Sequence, residues 1–108
     1  MMVYLLKIGS EGIYKIGVTK KVEKRIKELQ TGNPLKIELI NFYESEHSYK
    51  IEKFLHKKYS HTKLTEGFEY LEGEWFKLDN NDVKNFRDIC SSIENNFKIL
   101  KEMGNIYI

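Results

Sequence analysis

The sequence predicts a small α/β protein of the α+β type, in which helices flank a three-stranded, mostly antiparallel sheet. Three patterns support this: apolar and aromatic runs near the N-terminus, two amphipathic segments after them, and an apolar stripe at helical spacing near the C-terminus. The expected order is β-β-α-β-α, followed by a short extended segment and a long C-terminal helix. With 108 residues, 41% of them hydrophobic, the chain suits one core.

The first two strands are predicted to form a hairpin. Residues 3–8 and 12–18 are rich in β-branched and aromatic side chains, and the glycines of residues 9–12 lie between the two runs. Thr19 is then a candidate N-cap for a helix that continues to Gln30, and Gly32 lies where a left-handed C-terminal cap belongs. Asn33 and Pro34 end this helix.

The second half of the pattern repeats strand and helix. Residues 36–44 alternate well enough for a third strand, and residues 46–59 carry apolar side chains at helical spacing. Residues 72–78 read as a short extended segment, and Asp79 can cap a last helix over residues 82–102. That helix has an apolar stripe, which favours burial in the core. The stripe consists of Val83, Phe86, Ile89, Cys90, Ile93, Phe97 and Leu100.

Cysteine content and charge limit the possible functions. The single cysteine, Cys90, cannot form an internal disulfide, and with three histidines it offers no familiar zinc spacing. Residues 1–63 carry 13 Lys/Arg against 7 Asp/Glu, whereas residues 64–108 carry 5 against 9. Such asymmetry favours a surface that binds polyanions, although a solvated charged face would look the same. The N-terminal apolar run is too short for a signal peptide, so we expect an intracellular protein.

Several ordered motifs make the sequence similar to a known group of proteins. Tyr14-Lys15-Ile16-Gly17 follows Tyr4 by ten positions and precedes Arg25. The stretches 24–34, 52–56 and 73–76 then follow in order. This set resembles the GIY-YIG endonuclease superfamily, in particular its short phage and viral branch, which is related to the meiotically up-regulated gene family. The resemblance covers residues 3–78, so that 1–78 is the expected nuclease-like domain and 79–108 a helix and tail packed on it.

The resemblance implies a set of catalytic residues. Tyr4 and Tyr14 fill the two tyrosine positions, and Arg25 fills the arginine position on the helix that follows. Glu52 fills the position of the metal-binding glutamate, with Glu74 as the alternative, and the implied cofactor is magnesium or manganese. The literal string Gly-Ile-Tyr at residues 12–14 overlaps the second motif, so its tyrosine cannot fill both roles.

Helix geometry agrees with these positions. Arg25 lies nearer to the buried stripe of its helix than the neighbouring lysines, so it can border the sheet, although it could also pair with Glu23 or Glu28 on the surface. Glu52 and His56 are one turn apart and can face the same cleft. His56 could move a proton, stabilise a leaving group or bond to Glu52.

These residues support three hypotheses. The first is a metal-dependent DNA endonuclease or nickase in which tyrosine activates water. The second is a non-catalytic DNA-binding module of the same fold, and the third is a scaffold that dimerises through the last helix. For either of the first two, the expected DNA contacts are Lys15, Lys20, Lys21, Lys24 and Lys27.

The last helix is also a candidate for self-association. One hypothesis is that residues 83–90 pack on the sheet, whereas Ile93, Phe97 and Leu100 overhang it and meet a second copy or the tail, residues 105–108. The alternative is that the whole helix folds back onto its own domain. A separate partner could supply target choice.

Overall fold

A computed structural model describes residues 1–64 and 73–104 of the chain. The strands are β1 (Met2–Ile8), β2 (Ile13–Thr19), β3 (Ile37–Glu44) and β4 (Phe76–Lys77). The helices are α1 (Val22–Gln30), α2 (Ser48–Lys58), α3 (Asn80–Lys84) and α4 (Phe86–Glu102), with a 3₁₀ turn at Ser60–Thr62. None of the described helices is long and apolar enough to cross a membrane.

The sheet confirms the predicted α+β class and extends it by one strand. Its strand order is β3-β1-β2-β4, and every pair is antiparallel. The predicted hairpin is present, with Met2 opposite Thr19 and Ile8 opposite Ile13. The expected count of three strands was wrong because residues 76–77 of the extended segment pair with Ile13 and Tyr14.

The alternation of side chains along β1 and β2 gives the sheet two buried faces. On one face, which we call the α2/α4 face, residues such as Leu5 and Ile16 pack with Leu55 of α2 and Cys90 of α4. On the other, the α1 face, Tyr4, Leu6, Ile8 and Ile13 pack with Leu29 of α1 and with Trp75. The two faces therefore bring different helices to the same pair of strands.

The outer edge of β3 is bonded to groups of the same chain. Its register against β1 shifts at a bulge between Asn41 and Leu39. The Ile37 N–H donates to Gln30 Oε1 at 2.8 Å, and the Phe42 N–H donates to Asn41 Oδ1 at 2.9 Å. Arg87 Nη1 of α4 donates to the Phe42 carbonyl at 2.8 Å. These bonds occupy backbone groups that face away from β1.

Helix boundaries agree with the sequence at some positions and differ at others. Gly32 has φ +76°, as a left-handed cap requires. Thr19 was wrongly expected to cap α1: it ends β2, its hydroxyl accepts from the Lys21 N–H at 3.2 Å, and the N-cap position is Lys21. Asp79 does act as a cap, since its carboxylate accepts from the Asp82 N–H at 2.9 Å.

The last helix is not continuous. It breaks at Asn85, which separates α3 from α4. This segment is rich in asparagine, and asparagine side chains compete with the backbone hydrogen bonds of a helix. Ile93 is buried in the core and Phe97 packs partly buried against it, so these two residues do not overhang the sheet and the alternative that the helix folds back on its own domain describes them. Leu100 is exposed, and the tail expected to cover it lies outside the described residues.

Glu94 ties α4 to the end of β3. Its carboxylate accepts from the Tyr43 hydroxyl at 3.0 Å and from the Ser45 hydroxyl, and Lys98 Nζ lies 3.5 Å away. The hydrogen bond from Ser45, supported by Tyr43 and Lys98, holds the Glu94 pKa below its usual range against the opposing effect of burial. The charged form is therefore the one that the fold stabilises.

Glu94→Gln is expected to lower the free energy of unfolding by about 1 kcal/mol near neutral pH, because the amide accepts fewer and weaker hydrogen bonds. A depressed folded-state pKa stabilises the protein above the unfolded value of about 4.3 and loses that contribution as pH falls through the folded value. Urea unfolding should therefore show a difference that shrinks below about pH 4. Glu102→Gln, on the exposed end of α4, is the control. An unchanged difference across this range would contradict the assignment.

Candidate active site

Tyr4 and Gly17 form the centre of the candidate site. They lie opposite each other on β1 and β2, and Tyr4 is only 2% exposed. A Cβ atom at Gly17 would collide with the Tyr4 hydroxyl and the ring carbon that bears it. Gly17 is therefore the residue that lets the Tyr4 hydroxyl lie against the β2 backbone.

Arg25 reaches the same place from α1. A hydrogen bond to the Tyr4 hydroxyl is the largest of the effects that raise the Arg25 pKa, with a further contribution from Glu28 and an opposing one from burial. Arg25 Nη1 also lies 3.3 Å from Glu28 Oε2. The alternative pairing with Glu28 is thus present, and it coexists with the contact to Tyr4. The structure brings Tyr4 and Arg25 together.

Tyr14 does not join them. Its side chain lies on the α2/α4 face, in the core cluster with Leu5 and Phe76, whereas Tyr4 lies on the α1 face. One position along a strand reverses the direction of the side chain, and Tyr14 is three positions, an odd number, from Gly17. The predicted catalytic pairing of Tyr14 with Tyr4 therefore lacks its geometric basis.

Lys15 is the β2 residue that shares the α1 face with Tyr4, and it is a core lysine. It is only 7% exposed, and its Nζ lies 5.5 Å from the centre of the Trp75 ring and close to Gly73. A buried ammonium beneath residues 73–75 cannot serve as an open contact for DNA. Lys15 was predicted to contact DNA, and its burial beneath residues 73–75 gives that prediction no support.

His56 borders the site from α2. Its Nε2 lies 2.7 Å from the Ile16 carbonyl, directly before Gly17, and its Nδ1 lies 2.7 Å from Glu74 Oε2. Both partners carry hydrogen-bond acceptor oxygens, and the tautomer of the ring decides which nitrogen donates. The hydrogen bond considered between His56 and Glu52 is not formed; Glu74 takes that place.

Glu74 is already engaged by Lys63 and His56. Lys63 Nζ donates to its Oε1 at 2.7 Å, and His56 contacts its other oxygen. The hydrogen bond from Lys63, followed by that of His56, lowers the Glu74 pKa against the effect of burial. Glu74 is therefore a carboxylate that holds Lys63 and His56 in place.

Glu52 lies one turn before His56 on the same flank of α2. The Ser48 hydroxyl donates to the Met1 carbonyl, and Met2 pairs with Thr19, so α2 begins near the end of β2 and runs back along it. Glu52 therefore lies level with the end of β2. Within residues 1–64 and 73–104, no hydrogen bond or ion pair occupies its half-buried carboxylate.

The acidic residues of the candidate site could bind a magnesium ion only together with water molecules and substrate phosphate oxygens. The described residues contain no group of three or more acidic, histidine or cysteine side chains that could hold a metal by themselves. Magnesium usually keeps several waters and binds one or two carboxylates together with substrate phosphate oxygens. The unengaged Glu52 fits such a hydrated ion better than Glu74 does.

The family model of the T5orf172 domain matches residues 1–91, most of the chain, including every site residue above. The chain belongs to the T5orf172 domain family. The domain is associated with phage nucleases, and it is compatible with a nuclease-like or a DNA-binding module. No curated protein and no solved structure matches the chain.

Three exposed lysines of this T5orf172 domain cluster where β2 enters α1. Lys20, Lys21 and Lys24 line an open depression of about 350 Å³ together with Arg25. Lys27 is exposed further along α1. Four of the five lysines predicted to contact DNA therefore share one surface, and that surface adjoins Arg25.

Sequence reasoning missed two residues of the T5orf172 domain site. Gly17 was treated as part of a motif, although its missing side chain makes room for the Tyr4 hydroxyl. Lys63, which holds Glu74, was not singled out because it lies eleven positions away in sequence. A signal for the first was available: in the antiparallel hairpin, the residue opposite Tyr4 follows from the register once the turn is placed.

Proposed function

We propose that this protein is a metal-dependent DNA endonuclease or nickase of the GIY-YIG type, which hydrolyses phosphodiester bonds. The observation that carries the proposal is the buried Tyr4 hydroxyl against Gly17. Arg25 of α1 lies near enough for Tyr4 to raise its pKa, and Glu52 of α2 lies level with the end of β2. A surface that only binds DNA needs exposed cations, whereas it does not need a buried tyrosine hydroxyl held against an arginine.

Arg25, Tyr4 and the lysines of α1 have different proposed roles in hydrolysis. Arg25 is permanently charged and planar, so it binds the non-bridging phosphate oxygens and stabilises the charge that accumulates on them. In its deprotonated form the Tyr4 oxygen, held beside this cation, takes a proton from the attacking water. The water oxygen then bonds to phosphorus, the P–O bond to the leaving strand end breaks, and the released oxygen takes a proton from solvent. The lysines of α1 bind the neighbouring phosphates and orient the strand.

The acidic residues have separate roles. Glu52 would hold magnesium or manganese, which when bound supplies charge stabilisation at the phosphoryl group. Glu74 fixes Lys63 and His56, and His56 in turn bonds to the backbone directly before Gly17. His56 is thus a positioning residue for the strand beneath the Tyr4 hydroxyl.

A second candidate function is a DNA-binding module without catalysis. The separation of Tyr14 from Tyr4 favours it, since only one of these two tyrosines lies on the face of the sheet that carries the candidate site. The exposed lysines of α1 are sufficient for such binding. A dimer through α4 and a separate targeting partner remain proposals for either function.

Supercoiled plasmid distinguishes the two candidates. The wild-type protein is expected to convert it to the nicked or linear form with Mg²⁺ or Mn²⁺ and to leave it intact with a chelator, because the metal neutralises phosphoryl charge. Gel electrophoresis measures the conversion. Cleavage in the chelator would contradict the metal dependence. Retarded migration with intact plasmid, across metals and substrates, would support the binding module instead.

A further inference from the structure

The exposed side of α2 combines lysines with aromatic rings and lies outside the site described above. At about 100° per residue, Lys50, Lys53 and Lys57 project from the helix within a narrow arc, and Tyr49 and Phe54 border this arc on its two sides. We call these five residues the α2 outer face. All five are exposed, Tyr49 by 65% and Phe54 by 49%.

The core does not account for these rings. The buried side of α2 already packs through Ile51, Leu55 and Tyr59. A single exposed aromatic residue is ordinary on a protein surface. Here two exposed rings lie on opposite sides of a row of lysines, which is a more specific arrangement. The α2 outer face therefore offers two flat apolar surfaces with positive charge between them.

The charges indicate the kind of partner. The only acidic residue of α2 is Glu52, and it lies on the flank that faces the candidate site. Lysine is depleted in protein–protein interfaces, whereas phosphates attract it strongly. Exposed aromatic rings beside a positively charged track are the arrangement on which unpaired bases stack. In a duplex the bases are stacked on one another, so their faces are not available to stack on the aromatic rings of the protein.

We propose that the α2 outer face binds a single-stranded segment of nucleic acid, with its lysines on the phosphates and with Tyr49 and Phe54 stacked on unpaired bases. The inference rests on the proposed function for the class of partner, and it refines the substrate to one with unpaired nucleotides beside the cleaved strand. Tyr49 is three residues before Glu52, so the two side chains are neighbours on the helix. A strand on the α2 outer face would run past the candidate site.

The two basic surfaces then differ in what they bind. α1 carries exposed lysines and no aromatic residue, which suits the phosphates of any strand. The α2 outer face carries rings as well, which suits single strands. Removing the rings should therefore affect only one class of substrate.

Fluorescence anisotropy with a labelled single strand and a blunt duplex of the same sequence tests this difference. The double variant Tyr49→Ala/Phe54→Ala is expected to bind the single strand at least about tenfold more weakly and the duplex with nearly unchanged affinity. The matched variant Tyr49→Phe/Phe54→Tyr keeps both rings and should keep the wild-type affinity. Lys24→Ala/Lys27→Ala on α1 should weaken the binding of both substrates, because the α1 lysines contact phosphates of either kind of strand.

The outcomes separate this inference from the proposed function. Equal single-strand affinity of the wild type and Tyr49→Ala/Phe54→Ala overturns the inference, and so does equal loss in the variant that keeps both rings. A wild type that nicks plasmid but does not bind the single strand overturns the inference alone. A wild type that binds neither substrate removes both. A dimer that becomes monomeric in Tyr49→Ala/Phe54→Ala, by light scattering, identifies a self-association surface and overturns the inference.

Discussion

Glu52→Ala is expected to abolish metal-dependent strand cleavage while DNA binding persists. The substitution removes the carboxylate proposed to hold the cation and leaves the lysines of α1 untouched, so it removes stabilisation of the transition state and keeps the docking surface. A plasmid nicking assay measures the first effect, and retardation of a labelled duplex measures the second. Glu52 has no described partner, so its loss should change the melting temperature little.

The variants Glu46→Ala and Glu74→Ala give this experiment its controls. Glu46 is an exposed residue before α2, and its loss should leave cleavage unchanged. Glu74→Ala frees Lys63 and His56 and should reduce cleavage without abolishing it. Full activity in Glu52→Ala together with complete loss in Glu74→Ala would falsify the assignment of the metal carboxylate.

Tyr4→Phe and Arg25→Ala are each expected to lower the rate of cleavage about 100-fold or more, at equal metal and substrate concentrations. Tyr4→Phe keeps the buried ring and deletes only the hydroxyl that would take a proton. Arg25→Ala deletes the cation proposed to stabilise the phosphoryl oxygens. Single-turnover nicking rates measure both effects, and thermal melting reports whether the fold is retained.

Tyr14→Phe is the matched control, because the same atom is deleted on the opposite face of the sheet. The structure predicts nearly wild-type cleavage for Tyr14→Phe, since the Tyr14 side chain packs in the core between β2 and the helices. The opposite pattern, with loss in Tyr14→Phe and full activity in Tyr4→Phe, would show that Tyr14 is the tyrosine that acts.

The fold was largely predictable because its local signals agree with one another. The hairpin, the glycine that ends α1 and the cap at Asp79 each follow from residue types at short range. β4 and the break at Asn85 were not predictable in the same way. A two-residue strand depends on a long-range pairing with Ile13 and Tyr14, and the apolar stripe continues across Asn85 without interruption.

The candidate site was predictable only in part for a similar reason. The motif indicated Tyr4, Arg25 and Glu52 by position, but it did not give the face of the sheet on which each tyrosine lies. The sequence does not distinguish Lys15 from a surface lysine, because its burial depends on the distant residue Trp75, which packs against it. The partners of His56 also come from distant segments, which helix spacing alone cannot specify.

The hydrogen bonds along the outer edge of β3 hinder the association of this protein with further copies of itself. An eight-residue outer strand with exposed Leu39, Ile40 and Phe42 is the kind of template on which chains join edge to edge and grow into fibrils. An incoming strand would first have to displace Gln30 from Ile37 and Arg87 from Phe42, and the bulge would spoil its register. Gln30 of α1 and Arg87 of α4 thus protect the exposed edge of the sheet against aggregation.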